Sequence, residues 1–91
     1  MRFKDKVAII TGSGQGIGKG LALRLAKEGC NIVVADMNFD NAKSVSTEIT
    51  NTGIKSIPVQ IDVTNSKDVD EMVKKTIDEF GRIDILVNNA G

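Results

Sequence analysis

The sequence predicts an α/β protein built on a doubly wound parallel sheet. Three observations carry this. Short β-branched runs alternate with segments of helical period, the first two runs are apolar almost throughout, and a glycine-rich turn joins the first run to the first helix.

The first strand is read at Val7-Ala8-Ile9-Ile10-Thr11 and the second at Asn31-Ile32-Val33-Val34-Ala35-Asp36. Near-continuous apolar character is what burial on both faces of a parallel sheet requires. The third strand spans Ser56 to Ile61 and contains Pro58, which cannot donate to a ladder, so it is placed at a sheet edge. The fourth spans Ile83 to Val87. In the first helix, Ile17, Leu21 and Leu25 recur every four residues beside a small-residue row of Gly18, Ala22 and Ala26, and Gly29 is the stop. The second helix runs from about Phe39 to Thr52, with Ala42, Val45 and Ile49 on one face and Gly53 after it. The third has the fullest apolar stripe: Val69, Met72, Val73, Thr76, Ile77 and Phe80. Ser66 is read as its N-cap and Gly81 as its close.

The bulk numbers exclude several partner classes. Twelve basic and twelve acidic residues give a formal net charge of +0, so no nucleic-acid partner is expected. No apolar run approaches the roughly 18 residues that span a bilayer, and no membrane partner is expected either. The single Cys30 excludes an internal disulfide, fits a cytoplasmic setting and reads as a core thiol. No metal site is expected. The chain has no His and no Tyr, so neither can serve as its acid or base.

The chemistry gathers at the C-terminal ends of the strands. Thr11-Gly12-Ser13-Gly14-Gln15-Gly16-Ile17-Gly18 holds four glycines in the spacing T-G-x-x-x-G-x-G. Residues without Cβ permit a tight turn and close approach of a pyrophosphate, and the N–H groups of the following helix start face the anion. Asp36 closes the second strand 18 residues after Gly18, where a carboxylate accepts hydrogen bonds from ribose hydroxyls and repels a 2′-phosphate. That favours NAD over NADP. Asp62 and Val63 follow the third strand; Asp62 suits an adenine amino group and Val63 the ring, but Asp62 reads equally well as the start of a turn. Asn88 and Asn89 either tie strand ends together, contact a ribose, or belong to simple turn chemistry.

Taken together, Thr11-Gly12-x-x-x-Gly16-x-Gly18, Asp36, Asp62-Val63 and Asn88-Asn89-Ala90-Gly91 resemble the N-terminal half of a short-chain dehydrogenase/reductase, over all 91 residues. The resemblance implies a Rossmann fold with strand order 3-2-1-4, truncated here after the fourth strand, and NAD(P)-dependent hydride transfer between alcohols and ketones. By analogy, Gly12, Ser13, Gln15, Gly16, Ile17 and Gly18 hold the pyrophosphate and nearby ribose, and Asp36 the adenine ribose. Asp62 and Val63 hold the adenine, Asn89, Ala90 and Gly91 the ribose side, and Asn88 steadies the central strands. Gly-Gln-Gly-Ile-Gly-Lys and Ala-Asp are reminiscent of acetoin and diacetyl reductases, with 3-oxoacyl-carrier-protein reductases and sugar or polyol dehydrogenases as near competitors.

The family's catalytic Ser, Tyr-x-x-x-Lys pair and catalytic Asn lie beyond its Asn-Asn-Ala-Gly motif, so no catalytic residue is assigned. The expectation is a Rossmann half-domain, residues 1–91, truncated after the fourth strand and inactive alone. Its longer parent acts on a small-molecule alcohol or ketone and is a homo-oligomer. The competing expectation is a non-catalytic nucleotide-binding or interaction module that pairs its bare fourth strand with another chain. A mononucleotide or flavin binder is a third, disfavoured by Asp36.

Overall fold

The computed structural model describes residues 2–89. Its elements run β1 (Val7–Thr11), α1 (Gly16–Lys27), β2 (Asn31–Asp36), α2 (Phe39–Thr50), β3 (Ser56–Gln60), α3 (Ser66–Phe80) and β4 (Ile85–Asn88). The four strands form one sheet in the order β3-β2-β1-β4, and all three pairings are parallel. Pro58 therefore lies on an edge strand, where its missing N–H costs no ladder bond on the solvent side.

The order reverses direction once. The chain steps outward from β1 to β2 to β3, then crosses back over the sheet to place β4 on the other side of β1. With one handedness of crossover, that reversal sends α3 to the face opposite α1 and α2. The two cores follow. Ala8, Ile10, Ile32 and Val34 pack under Ala22, Ala26, Ala42, Val45 and Ile49 of α1 and α2. Ile9, Val33 and Ala35 pack with Ile61 and Met72 on the α3 side. The β1 and β2 runs are apolar almost throughout because alternate residues feed opposite cores.

The structure ends α2 at Thr50 and β3 at Gln60, short of the Thr52 and Ile61 read from the sequence, and three further details differ. In α1 the row facing the sheet is Gly18, Ala22 and Ala26, while Ile17 is 84% exposed. Small residues win that face because the helix lies close to the glycine turn. In α3 the cap is Asn65, not Ser66: its side chain accepts from the N–H groups of Lys67 and Asp68. And β4 begins at Ile85, because Asp84 leaves the strand pattern to accept the Val7 N–H at 2.9 Å with its carboxylate. Among the described residues no helix is long and apolar enough to cross a membrane.

Candidate functional site

A groove of about 380 Å³ opens at the C-terminal ends of the strands, lined by Gly12, Gln15, Gly16, Asp36, Met37, Ile61, Val63 and Asn89. This is the crevice that the reversal of strand order creates, where ligands bind in open α/β sheets. A larger hollow of about 770 Å³ lies between α1 and α2, around Leu23, Ile49 and Ile54. It holds no strand end and no glycine turn, so the smaller groove is the better candidate on chemical grounds.

The floor of the groove is the turn between β1 and α1. Gly12 and Gly16 have φ of 65° and 61°, a left-handed conformation that side chains resist. A Cβ on Gly16 would meet nothing within 4 Å, so its backbone faces open space. A Cβ on Gly18 would stand 2.3 Å from the Gly12 carbonyl oxygen and 2.7 Å from the Asn89 amide nitrogen. Gly18 thus lets α1 seat directly against the turn.

The start of α1 differs from the other two helix starts. Asn38 caps α2 and Asn65 caps α3 through side-chain hydrogen bonds, and each has an acidic residue in its first turn. α1 has neither: Gln15 at its N-cap makes no side-chain cap bond, and the first turn carries no carboxylate. The positive end of its dipole therefore has no cap and no carboxylate from its own first turn, and it borders the groove.

Asp36 stands across from this helix start. One carboxylate oxygen accepts the Gly14 N–H at 2.9 Å and the other accepts the Asn38 N–H at 3.0 Å. A carboxylate offers about four acceptor positions, so roughly two are left for further donors. Met37, 68% exposed, flanks Asp36, and Val63 supplies another apolar wall.

The remaining sequence candidates divide. Ser13 is in the turn, but its side chain is fully buried: the hydroxyl donates to the Ile10 carbonyl at 2.6 Å and accepts the Ala35 N–H at 3.2 Å. It fastens the turn to β1 and β2. Ile17 points to solvent and is not a lining residue of the groove. Asp62 accepts the hydroxyl and then the N–H of Thr64, which hold its carboxyl below the usual carboxylate range, and it too stays outside the lining. Asn88 accepts the Thr11 hydroxyl at 3.2 Å. Asn89 closes the opposite rim, its amide donating to the Gly12 carbonyl at 3.3 Å and its N–H to the Thr11 hydroxyl at 3.1 Å. Ala90 and Gly91 lie outside the described residues.

Sequence reasoning missed Gly14, Met37 and Ile61. Met37 had a signal, since it directly follows Asp36. Ile61 had one in ending an apolar run. Gly14 reads in the sequence only as one glycine of four.

A parallel 3-2-1-4 sheet with alternating helices and a glycine turn after β1 defines a Rossmann-like α/β protein. The family model for short chain dehydrogenase matches residues 6–91. The chain belongs to the short chain dehydrogenase family. It is 45% identical over 91 residues to the (2S)-[(R)-hydroxy(phenyl)methyl]succinyl-CoA dehydrogenase subunit BbsD of Thauera aromatica, covering 100% of this chain and 37% of that one. It is 42% identical over 88 residues to a 3-oxoacyl-[acyl-carrier-protein] reductase FabG of Staphylococcus epidermidis, covering 96% and 36% respectively. The crystal structure of a hydroxysteroid dehydrogenase from Escherichia coli superposes with a TM-score of 0.95 at 41% identity, over 99% of this chain and 38% of that one. The chain thus spans a little over a third of the length of these relatives.

Proposed function

We propose that this chain holds the adenosine and pyrophosphate part of NAD(H) for an oxidoreductase that interconverts a small-molecule alcohol and ketone. The observation that carries it is the start of α1, uncapped and free of carboxylates in its first turn, opening on a groove whose other wall is Asp36. Gly12, Gln15, Gly16 and Gly18 suit the pyrophosphate: Gly12 and Gly16 have left-handed backbone, Gly16 also faces open space, Gly18 lets α1 seat against the turn, and Gln15 is the N-cap residue lining the groove. Ser13 and Ile17 contribute through backbone position, since the Ser13 hydroxyl is engaged and Ile17 points away.

The acceptor capacity left on Asp36 matches two ribose hydroxyls, and a 2′-phosphate placed there meets a carboxylate. NAD is therefore favoured over NADP. Val63, with Met37, covers the adenine, with Asp62 at its edge, and Asn89, Ala90 and Gly91 lie toward the second ribose. The bound nicotinamide supplies the hydride chemistry. With no Tyr and no His in 91 residues, the proton donor of that reaction is assigned outside them, and these residues alone are inactive in hydride transfer. A cytoplasmic homo-oligomer is the assembly this reading carries, with residues 1–91 as its cofactor-binding half-domain.

Calorimetric titration with NAD+ and NADP+ tests it. NAD+ binds more tightly, and Asp36→Ala weakens NAD+ by about tenfold or more while leaving NADP+ little changed, since hydrogen bonds to a charged group are worth roughly 1.5–3 kcal/mol. Equal loss for both cofactors removes the preference for NAD, and no binding of either at millimolar concentration overturns the reading.

A further inference from the structure

Gly14 lies in the turn, buried, and does not line the groove. Unlike Gly12 and Gly16, it has no positive φ, so its backbone is one that any residue adopts. The need for glycine here is steric. A Cβ at position 14 would stand 2.9 Å from the Asp36 Oδ2 atom, 3.0 Å from the Asp36 carboxyl carbon and 2.8 Å from the Asn41 Cβ. Contacts under 3.0 Å force something to move. Of these neighbours, the Asn41 Cβ is bonded to the backbone of α2 and cannot give easily. The Asp36 carboxylate is the end of a rotatable side chain and can.

The same carboxylate oxygen takes the Gly14 N–H at 2.9 Å. Gly14 therefore acts on Asp36 twice: its N–H draws the carboxylate in, and its missing side chain leaves room for it to arrive. With Asn38 N–H on the second oxygen, the plane and position of the carboxylate are set by backbone groups rather than by solvent.

We infer that Gly14 is a positioning residue that sets cofactor specificity by holding the Asp36 carboxylate where it accepts the hydroxyls of an unphosphorylated adenine ribose. The inference rests on the NAD reading proposed above. Any side chain at position 14 displaces the carboxylate, breaks the 2.9 Å bond and opens space beside the 2′ position, so discrimination against a 2′-phosphate falls without removal of Asp36 itself.

The test is a double-mutant cycle on the ratio of NADP+ to NAD+ dissociation constants, measured by calorimetry for the unmodified chain, Gly14→Ala, Asp36→Ala and the double variant. Gly14→Ala is expected to reduce the ratio by about tenfold. The double variant is expected to match Asp36→Ala alone, because Gly14 acts only through Asp36. A merely structural role would lower the unfolding midpoint and weaken both cofactors equally. Should Gly14→Ala fold poorly, Gly14→Ala with Asn41→Gly removes the contact with α2 and keeps the one with Asp36, and it carries the same expectation. An unchanged ratio in these variants, alongside a ratio that does fall in Asp36→Ala, overturns the inference while the NAD reading stands. An unmodified chain that binds neither cofactor, or shows no preference, overturns both.

Discussion

Asp84 fastens the start of β4 to β1 at the end of the sheet remote from the groove. Its carboxylate accepts the Val7 N–H at 2.9 Å and the Arg82 guanidinium at 2.8 Å, and its own N–H donates to the Val7 carbonyl. The Arg82 hydrogen bond, then the Val7 N–H, hold the carboxyl below its ordinary value. A group whose folded value is depressed contributes stability that is present above the unfolded value, near pH 4, and is lost as pH falls through the folded one. Asp84→Asn is therefore expected to be less stable than the unmodified chain at pH 7, with the gap closing below about pH 4; urea unfolding across pH 2.5–7 reads it. Cys30 shows the opposite sign. Burial, then the charge of Asp84, pushes its thiol up to about 11. Neutral-pH alkylation is accordingly expected only after unfolding, and rapid labelling of the folded chain would contradict the burial.

At the scale of the element, α3 shows how a cap is chosen. Asn65 and Ser66 are adjacent and both suit an N-cap, so the spacing to Val69 does not separate them. The structure selects Asn65 because its backbone is extended and its side chain reaches two N–H groups, while Ser66 is already helical. Asn65→Ala is expected to cost about 1 kcal/mol in chemical unfolding and Ser66→Ala less than about 0.5 kcal/mol. α1 teaches a related lesson. Its Leu21 and Leu25 are only half-buried, because the Gly18, Ala22 and Ala26 row must face the sheet for α1 to reach the glycine turn.

At the scale of the whole molecule, the sheet is covered unequally. Among the described residues, two helices cover one face and α3 alone packs on the other. Ile9 and Leu86 are register partners on that second face, yet Ile9 is fully buried and Leu86 is 62% exposed. Val73 and Ile77 of α3 are exposed nearby in sequence period. Ile9→Ala is expected to cost about 2–5 kcal/mol, as for other core aliphatics, and Leu86→Ala well under half of that. Comparable losses would mean that Leu86 is packed in solution.

The alternation of strands and helices, the parallel sheet with its Pro58 edge and the cluster of candidates at the strand ends were legible in the residues alone, while the full strand order came from the family resemblance. Runs such as Val7–Thr11 and Asn31–Asp36 encode burial on both faces, and Pro58 marks the edge; these are local properties of composition and period. The sequence also located Gly12, Gly16, Asp36, Val63 and Asn89, which the fold brings to one groove. Where the side chains aim follows from the packing of the elements and not from the residues taken locally. Ser13 turns inward to Ala35, Asp62 turns onto Thr64, and Gly14 meets a carboxylate 22 residues away. Those outcomes depend on how closely a helix seats on a sheet and which backbone groups of β2 it leaves facing the turn, and neither is written in any local window of residues.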